Sequence, residues 1–352
     1  MSRNVLLVAY PLLPVTETSA GGAEQILWTL ERELAAAGWK TTVAACAGSA
    51  VSGELLVTGK PSLLGDDFED LQQEHEDRVL AACVARKFDL VLDHSGHFFR
   101  LADQVPARVL ATLHLPRHVY GENAFRQVPE NLFFNCVSKT QRSTFDDVPH
   151  VLGVVRNGIA VDRFPMARRK SDYVLWLGRV CPEKAPHLAI EAAQRAGVPI
   201  VLAGQVYPFE WHQQYWEREI KPRIDYDKVR WVELPAFEEK TKLLREARAL
   251  LVTSQIEETS SLVALEAMAS GTPVIAFAAG ALAEVVGKGT GFLVNGVEEM
   301  AQAMRKVSDI RALDCRNWVM QEFSVRSMTE GYEALMVNLE EQTRMAGRRT
   351  PQ

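Results

Sequence analysis

Residues 249–276 read ALLVTSQIEETSSLVALEAMASGTPVIA, and this stretch decides the fold. The apolar run at each end predicts a buried strand. Between the runs, Thr259, Ser260 and Ser261 offer side-chain oxygens that can cap the start of a helix. Gly271 and Pro273 then end that helix. Because a strand, a helix and a second strand follow one another without a long break, the stretch predicts a parallel α/β unit.

The same stretch places two carboxylates, Glu258 and Glu266, around the start of the helix. The first-turn amides of Ser261, Leu262 and Val263 lack partners within a helix and carry the positive end of its dipole, so an anionic diphosphate would fit there. At 1.5 Å per residue the glutamates lie on the order of 12 Å apart. Glycosidases need roughly 5 to 9.5 Å between their carboxyl groups. Each glutamate is therefore expected to bind a different part of a ligand, and the alternative is a capped amphipathic helix with solvated glutamates.

The length of 352 residues predicts about two domains, each large enough to bury a core. A formal net charge of −6 argues against a nucleic-acid partner, because tracking nucleic acid needs a basic surface. The first residues, MSRNVLLVAYPLLP, form too short an apolar run for a membrane span and show no signal-peptide cleavage site. We therefore expect a first buried strand there and a cytoplasmic protein, with no indication of peripheral membrane contact.

Cysteine usage favours the same compartment. The five cysteines are odd in number and widely spaced, and their sequence spacing forms neither a CxxC motif nor a Cys/His cluster. We therefore expect a reducing cytoplasm and no structural zinc. The residues are Cys46, Cys83, Cys136, Cys181 and Cys315.

Apolar β-rich runs alternate with helical stretches along the chain, which predicts two doubly wound parallel α/β domains. The predicted helices include 24–37 and 76–87. The first series of predicted strands comprises 5–9, 41–45, 90–92, 109–113 and 133–137, and the second comprises 174–177, 200–202, 229–232, 250–253 and 274–276.

Ligands of open α/β sheets collect at the carboxyl ends of the strands, so the residues that follow each strand are the candidates for chemistry. Gly21 and Gly22 would let the backbone approach a ligand at the start of a helix. His114 ends a strand, although a lone histidine there is more often structural. Arg179 and Lys184 place two cations beside one sheet edge, where the alternative is solvated surface charge.

Three other segments are interpreted as structural. The acidic stretch 65–77 predicts a solvated loop and helix face. The aromatic cluster within 207–216 predicts packing over a cleft mouth, and we assign it no role. A helix near 325–339 carries a helically spaced stripe that predicts core packing. The stripe comprises Met328, Tyr332, Leu335, Met336 and Leu339.

An ordered set of motifs along nearly the whole chain resembles the family-4 retaining glycosyltransferases, also called glycosyl transferases group 1, and in particular an avilamycin-type branch. The motifs are GGAEQ (21–25), DHSG (93–96), TLH (112–114), VSKTQR (137–142), RNGIAVDRF (156–164), LGRVCPEK (177–184) and the glutamate pair. The resemblance implies the GT-B fold, in which two Rossmann-like domains face each other across a cleft. It implies an acceptor-side domain at 1–155, a donor-binding domain at 156–324, and a final helix, about 325–345, that crosses back to the first domain.

The resemblance also implies roles for the donor-site residues. Arg179 and Lys184 look like the cations that bind the diphosphate, and Leu262 and Val263 would add backbone amides to it. Glu266 looks like the carboxylate that accepts the ribose hydroxyls.

Glu258 looks like the carboxylate that faces the donor sugar, and His114 resembles the histidine near its reacting face. Gly21 and Gly22 resemble the loop that closes over the diphosphate. Where the family usually has Gly-Phe-Gly after its first glutamate, this chain has Thr259, Ser260 and Ser261, which puts side chains into a pocket normally lined by glycine.

The resemblance implies a metal-independent glycosyltransferase, with no cofactor, that moves a hexose from a nucleoside diphosphate sugar with retention of configuration. A UDP-sugar is favoured as donor over GDP-mannose, and the acceptor is an unidentified small molecule, glycan or lipid-linked compound. Two alternatives stay open: a nucleotide-sugar epimerase of the same fold, and a sugar-nucleotide-binding module without catalysis. An NAD-dependent oxidoreductase is disfavoured because no strand is followed by GxGxxG and an acidic residue about 20 positions later.

Overall fold

The N-terminal half of the molecule is built on a seven-stranded parallel sheet with the order β3-β2-β1-β4-β5-β6-β7. The computed structural model describes residues 3–19, 21–62 and 68–348, with side chains given up to residue 339. The strands are β1 (Asn4–Val8), β2 (Lys40–Ala45), β3 (Glu54–Val57), β4 (Leu90–Asp93), β5 (Arg108–Leu113), β6 (Leu132–Cys136) and β7 (Val151–Val154). The helices are α1 (Gly22–Ala36), α2 (Phe68–Ala85) and α3 (Lys139–Ser143).

The C-terminal half is built on a six-stranded parallel sheet with the order β10-β9-β8-β11-β12-β13. The strands are β8 (Val174–Arg179), β9 (Ile200–Gln205), β10 (Val229–Glu233), β11 (Leu250–Val252), β12 (Val274–Phe277) and β13 (Gly291–Val294). The helices are α4 (Pro186–Ala196), α5 (Glu210–Tyr215), α6 (Phe237–Glu246), α7 (Leu262–Ala269), α8 (Leu282–Val285), α9 (Val297–Lys306), α10 (Ala312–Glu322) and α11 (Val325–Arg348). The predicted fold of two doubly wound α/β domains is confirmed.

The last helix joins the two halves. Met328, Tyr332, Met336 and Leu339 pack into the same buried cluster as the strands and first helix of the N-terminal half. Each apolar side chain buried in this way stabilises the fold by roughly 1.5 to 3 kcal/mol. The predicted core stripe is thus confirmed, and it covers the N-terminal sheet although it belongs to the end of the chain.

The chain crosses between the halves at Gly158. A Cβ atom on this residue would lie 2.4 Å from the carbonyl oxygen of Ser324. The amide of Ile159 also donates to the carbonyl of Phe323, at 2.9 Å. Close backbone contact at this position therefore requires glycine, which gives a structural reason for the RNG motif.

Two details of the sequence interpretation need correction. Helix α2 begins at Phe68 rather than at Glu76, and it buries His75 and Glu76 within the acidic stretch that predicted a solvated surface. Residues 65–67 of that stretch lie outside the described part of the chain. The short strands β3, β7 and β13 were not predicted because each has only four residues, which alternate weakly or contain glycine.

In the described residues, no helix combines the length and apolar character needed to cross a membrane.

Candidate active site

The candidate site lies where both sheets reverse their strand order. In the N-terminal sheet β1 lies between β2 and β4, and in the C-terminal sheet β8 lies between β9 and β11. Successive connections leave such a strand toward opposite faces of the sheet, which opens a crevice at its carboxyl end. The predicted site residues lie at the end of β8, in the loops that follow β1, β5, β8 and β11, and in helices α1 and α7.

Helices α1 and α7 bring their N-termini together from opposite domains. A Cβ atom on Gly22 would lie 3.3 Å from the Leu262 side chain. Ser261 is the N-cap residue of α7 and is buried. Helix α7 starts at Leu262, within two residues of the predicted position, although the Ser261 side chain does not form the predicted cap hydrogen bond. The Leu262 side chain lies against Gly22 at the start of α1.

Lys184 and Glu258 form an ion pair at the mouth of this crevice. Ser254 also donates a hydrogen bond to the same carboxylate oxygen of Glu258. The Lys184 side chain is 29% exposed and that of Glu258 is 12% exposed, so both charges are largely removed from water. The structure thus brings a predicted diphosphate-binding cation next to the predicted sugar-facing carboxylate.

The loop that carries Glu258 is held at both sides. The Gln255 amide donates to the Glu183 carbonyl at 2.7 Å, and the Ala281 amide donates to the Glu258 carbonyl at 2.7 Å. Gly280 has a φ of 54°, and a Cβ atom there would lie 2.4 Å from the Glu258 carbonyl oxygen. Position 280 therefore requires glycine for both its backbone conformation and its space.

Glu266 lies inside helix α7 and is buried. Its Oε1 atom lies 2.7 Å from the Nζ atom of Lys240, a residue of α6. The Lys240 ammonium also lies over the Phe164 and Phe237 rings. Lys240 was missed in the sequence because it looks like one of several charges on an amphipathic helix, and only the packing of α6 against α7 brings it to Glu266.

Arg179 ends β8 and is exposed. Its guanidinium lies 5.7 Å from the centre of the Tyr207 ring. Burial raises the pKa of Tyr207, Arg179 lowers it, and Glu24 of the opposite domain raises it further. These groups from both domains therefore share one electrostatic environment in the cleft.

His114 pairs with a second histidine. Its Nε2 atom lies 2.9 Å from Nδ1 of His94. Burial lowers the pKa of His114 from 6.5 to about 4. Burial, and then His114 itself, lower the pKa of His94 as well. Both rings are therefore neutral at physiological pH, and one of the two nitrogens that face each other carries a hydrogen and the other accepts it.

Thr259 connects the two domains directly. Its hydroxyl donates to the backbone carbonyl of His114 at 2.6 Å. The Thr259 side chain is thus engaged with the N-terminal domain, and Ser261 is the buried N-cap residue. Thr259 therefore links the segment that leads into α7 to the N-terminal domain.

Glu24 is a buried acid that the sequence analysis did not single out. It lies in the first turn of α1 and is 3% exposed. Burial raises its pKa from 4.5 to about 7. A Cβ atom on Gly21 would lie 1.9 Å from a Glu24 carboxylate oxygen, so this side chain folds back over the glycine pair. The sequence indicated this only through the position of Glu24 as the third residue of the helix, where a glutamate side chain often folds back toward the N-cap residue.

A second seam between the domains is formed by Glu284 of α8. Its carboxylate accepts from the amides of Lys139 and Thr140, at 3.0 and 2.6 Å, at the start of α3. Its pKa is lowered: burial opposes ionisation, but the hydrogen bonds from Thr140 and Lys139 and the Arg156 charge together favour it. The N-terminus of a helix in one domain is thus capped by a carboxylate from the other.

Comparisons with known proteins agree with this geometry. Residues 171–309 match the family described as Glycosyl transferases group 1. A glycogen synthase of Mycobacterium tuberculosis is 35% identical over 170 residues, which cover 45% of this chain and 38% of that protein. A D-inositol 3-phosphate glycosyltransferase of Mycolicibacterium paratuberculosis is 32% identical over 212 residues, which cover 54% and 47%. The match thus spans less than half the length of each of these two relatives.

Solved structures share the fold over nearly the full chain. A glycosyltransferase involved in avilamycin A biosynthesis has a TM-score of 0.69 and 22% identity, covering 96% of this chain and 98% of its own. The Anabaena protein HepE, solved in complex with UDP-glucose, has a TM-score of 0.73 and 18% identity, covering 95% and 99%. The GT-B fold is therefore confirmed, and the resemblance to the group 1 glycosyltransferases is confirmed over the donor-side domain.

Proposed function

We propose that this protein is a glycosyltransferase that moves a hexose from a nucleoside diphosphate sugar to an acceptor with retention of configuration. The observation that carries the proposal is the meeting of two helix N-termini beside Lys184 at the domain seam. Backbone amides and a cation that converge on one point favour binding of a multiply charged anion. A diphosphate is the anion that such a site suits.

The donor fits this site in three parts. The diphosphate would lie on the first-turn amides of α7, beside Lys184 and Arg179 and under the Gly21–Gly22 turn. The ribose would reach Glu266, whose carboxylate accepts hydrogen bonds from two hydroxyls. The sugar would then lie between Glu258 and His114, which belong to opposite domains.

Three features support metal-independent departure of the nucleotide. Lys184, Arg179 and the α7 dipole would neutralise the charge that develops on the leaving diphosphate. A divalent ion at the diphosphate is then not required. In this proposal the neutral His114 orients the sugar through a hydrogen bond and does not act as a base at neutral pH, because its pKa is about 4.

Retention follows from attack by the acceptor on the same face from which the diphosphate leaves. Glu258 is already engaged by Lys184 and Ser254, which makes it a poor covalent nucleophile. A hydroxyl of the acceptor, held on the N-terminal side of the cleft, is the proposed attacking group. Its proton would pass to the departing diphosphate.

A UDP-sugar is the proposed donor, because the structurally similar Anabaena protein was solved with UDP-glucose. GDP-mannose is the alternative. A thermal-shift comparison of UDP, GDP and TDP tests the choice, since a ligand at 100 times its Kd stabilises the folded state by about 2.7 kcal/mol. UDP should give the largest shift and inorganic pyrophosphate a smaller one. Failure of all three nucleotides to shift the melting temperature would refute the donor site.

Product analysis then separates the possible activities. The purified protein is incubated with the sugar nucleotide that gives the largest shift, with and without a panel of sugar and lipid-linked acceptors. A transferase releases nucleotide faster with its acceptor and forms a glycoside of the donor's own anomeric configuration. A changed sugar nucleotide in the absence of acceptor would instead identify an epimerase, and tight binding without any product would identify a binding module.

A further inference from the structure

Three side chains that can bind a metal ion lie close together at the loop that joins Arg179 to Lys184. Cys181 and Glu183 belong to this loop, and His212 belongs to α5 on the neighbouring connection. Their ligand atoms all lie within 4.8 Å of one another. Cys181 and His212 are far apart in the sequence, so their spacing gave no sign of a Cys/His cluster, and the packing of α5 creates it.

Two of these residues carry buried polar atoms without hydrogen-bond partners among the described residues. His212 is 0% exposed, and neither of its ring nitrogens has a hydrogen-bond partner among the described residues. The Oε2 atom of Glu183 is likewise buried and unpartnered within the described part of the chain. Each such group costs about 1 to 3 kcal/mol if it is left unsatisfied. Three unsatisfied atoms on two residues therefore indicate a missing binding partner at this point.

Among the described residues, His212 packs mainly against aromatic rings. His212 packs against the rings of Phe209 and Trp211, at centroid distances of 5.2 and 3.9 Å. The thiol of Cys181 lies 3.6 Å from the Arg179 carbonyl and also interacts with the Glu183 side chain. Burial raises the pKa of the thiol, and the interaction with Glu183 raises it further. The rings cover part of the imidazole, and one of its nitrogens lies within 4.8 Å of the thiol and of a carboxylate oxygen.

We propose that Cys181, Glu183 and His212 bind a divalent transition-metal ion of the zinc class. A thiolate, a carboxylate and an imidazole are the ligand types that zinc takes in proteins, and water would complete a four-coordinate site. The two anionic ligands balance the charge of the ion. Bond lengths of about 2.0 to 2.3 Å place neighbouring ligand atoms roughly 3.5 Å apart, so the three side chains must draw in by about 1 Å.

This ion would act on the loop and not on the diphosphate. Arg179 and Lys184 flank the two loop ligands in the sequence. The Lys184 side chain forms the ion pair with Glu258. An ion that ties Cys181 and Glu183 to α5 would fix the backbone between the two cations. The inference rests on the proximity of the three side chains and on the unpartnered atoms of His212 and Glu183, and it does not depend on the activity proposed above.

Cobalt is the most direct probe of this site, because it substitutes for zinc and a thiolate ligand gives it a charge-transfer absorption. The full chain, without an affinity tag, is treated with a chelator, dialysed and titrated with Co2+. We expect one equivalent to bind, with a thiolate-to-cobalt band that an added equivalent of Zn2+ removes. Zn2+ alone should raise the melting temperature of the unmodified protein, which tests the site without any substitution.

Substitutions identify the ligands. Cys181→Ser should abolish the charge-transfer band, and His212→Gln should weaken Co2+ binding at least about 100-fold, since even outer-shell changes cost up to that much. Cys83→Ser, a buried cysteine of α2, and His118→Gln, an exposed histidine, are the matched controls and should leave binding unchanged.

Circular dichroism establishes that each variant is folded. Absence of the band in the unmodified protein, or a band that persists in Cys181→Ser, would overturn the metal site and leave a buried water as the missing partner. The thermal shift caused by the nucleotide, recorded on the same chelator-treated sample, reports the donor site separately.

Discussion

The two faces of the cleft treat charge in opposite ways. On the C-terminal face two lysines are paired with carboxylates: Lys184 lies against Glu258, and Lys240 lies against Glu266. On the N-terminal face, burial favours the neutral forms of Glu24 and His114. Burial lowers the pKa of His114 to about 4 and raises that of Glu24 to about 7.

This difference indicates which ligand part each face suits. A lysine ammonium has three donors, so Lys184 can donate to a diphosphate while it keeps its hydrogen bond to Glu258, and neither ion is left unpaired. Neutral donors and acceptors suit the hydroxyls of a sugar, because they bind without the cost of removing a charge from water. The C-terminal face therefore suits a nucleoside diphosphate, and the N-terminal face suits neutral sugar groups.

The largest effect is expected on the charged face. Lys184→Ala should lower turnover by a factor of about 10² to 10³, which is the loss observed when one group that stabilises transition-state charge is removed. Steady-state kinetics with the identified donor measures it. Lys228→Ala removes an exposed lysine at the edge of β10 and serves as the control. Near-normal turnover in a folded Lys184→Ala protein would refute the proposal that this face binds the diphosphate.

The pH dependence of the free energy of unfolding tests the N-terminal face of the cleft. The folded protein retains the Glu24 proton up to about pH 7, whereas its ordinary pKa is 4.5. The stabilising effect of the neutral carboxyl is thus fully present below about pH 4.5 and is lost as the pH rises through about 7. Glu24→Gln keeps a neutral side chain at every pH. Its stability relative to the natural protein should rise across this window, by roughly 3 kcal/mol at most.

Denaturant unfolding at several pH values gives this difference. His94 and His114 are present in both proteins, so their own pH dependence cancels. Glu33→Gln, an exposed residue of the same helix, provides the control and should show no such trend. A difference between Glu24→Gln and the natural protein that is constant from pH 4.5 to 8 would show that Glu24 is not buried as the acid.

A third test asks whether a paired carboxylate on the charged face also binds ligand. Glu266→Gln should weaken binding of the nucleoside diphosphate by about 10- to 100-fold, because it removes hydrogen bonds to a charged acceptor. Lys240→Met breaks the same ion pair but keeps the carboxylate, so it is the matched variant. Calorimetry should show the larger loss for Glu266→Gln. Equal losses for both variants would mean that Glu266 acts through the pair and not on the ribose.

The sequence predicted the C-terminal face of the cleft better than the N-terminal face. The start of α7 was predicted within two residues, because the Thr-Ser-Ser run is a local signal, although the N-cap residue Ser261 makes no side-chain cap hydrogen bond. The resemblance placed Glu258 and Glu266. The partners Lys240 and Ser254 could not be predicted, since each depends on how α6 or the β11 loop packs against neighbouring elements. The shifted pKa values of Glu24 and His114 were equally inaccessible, because they arise from burial in the folded cleft.

The smallest expected effect belongs to the contact between the two faces. Thr259→Val keeps the shape of the side chain and removes its hydrogen bond to the His114 carbonyl, which should lower stability by about 1 kcal/mol. Ser260 makes no side-chain hydrogen bond to the residues that the structure describes, so Ser260→Ala is the matched control. Calorimetry then measures the affinity of each variant for the sugar nucleotide and for the free nucleotide, which tests the two faces of the cleft separately. Thr259 adjoins Glu258, so only the sugar nucleotide should bind more weakly to Thr259→Val. If both ligands lose affinity equally, the seam instead controls closure of the whole cleft, and the two faces cannot be treated as independent.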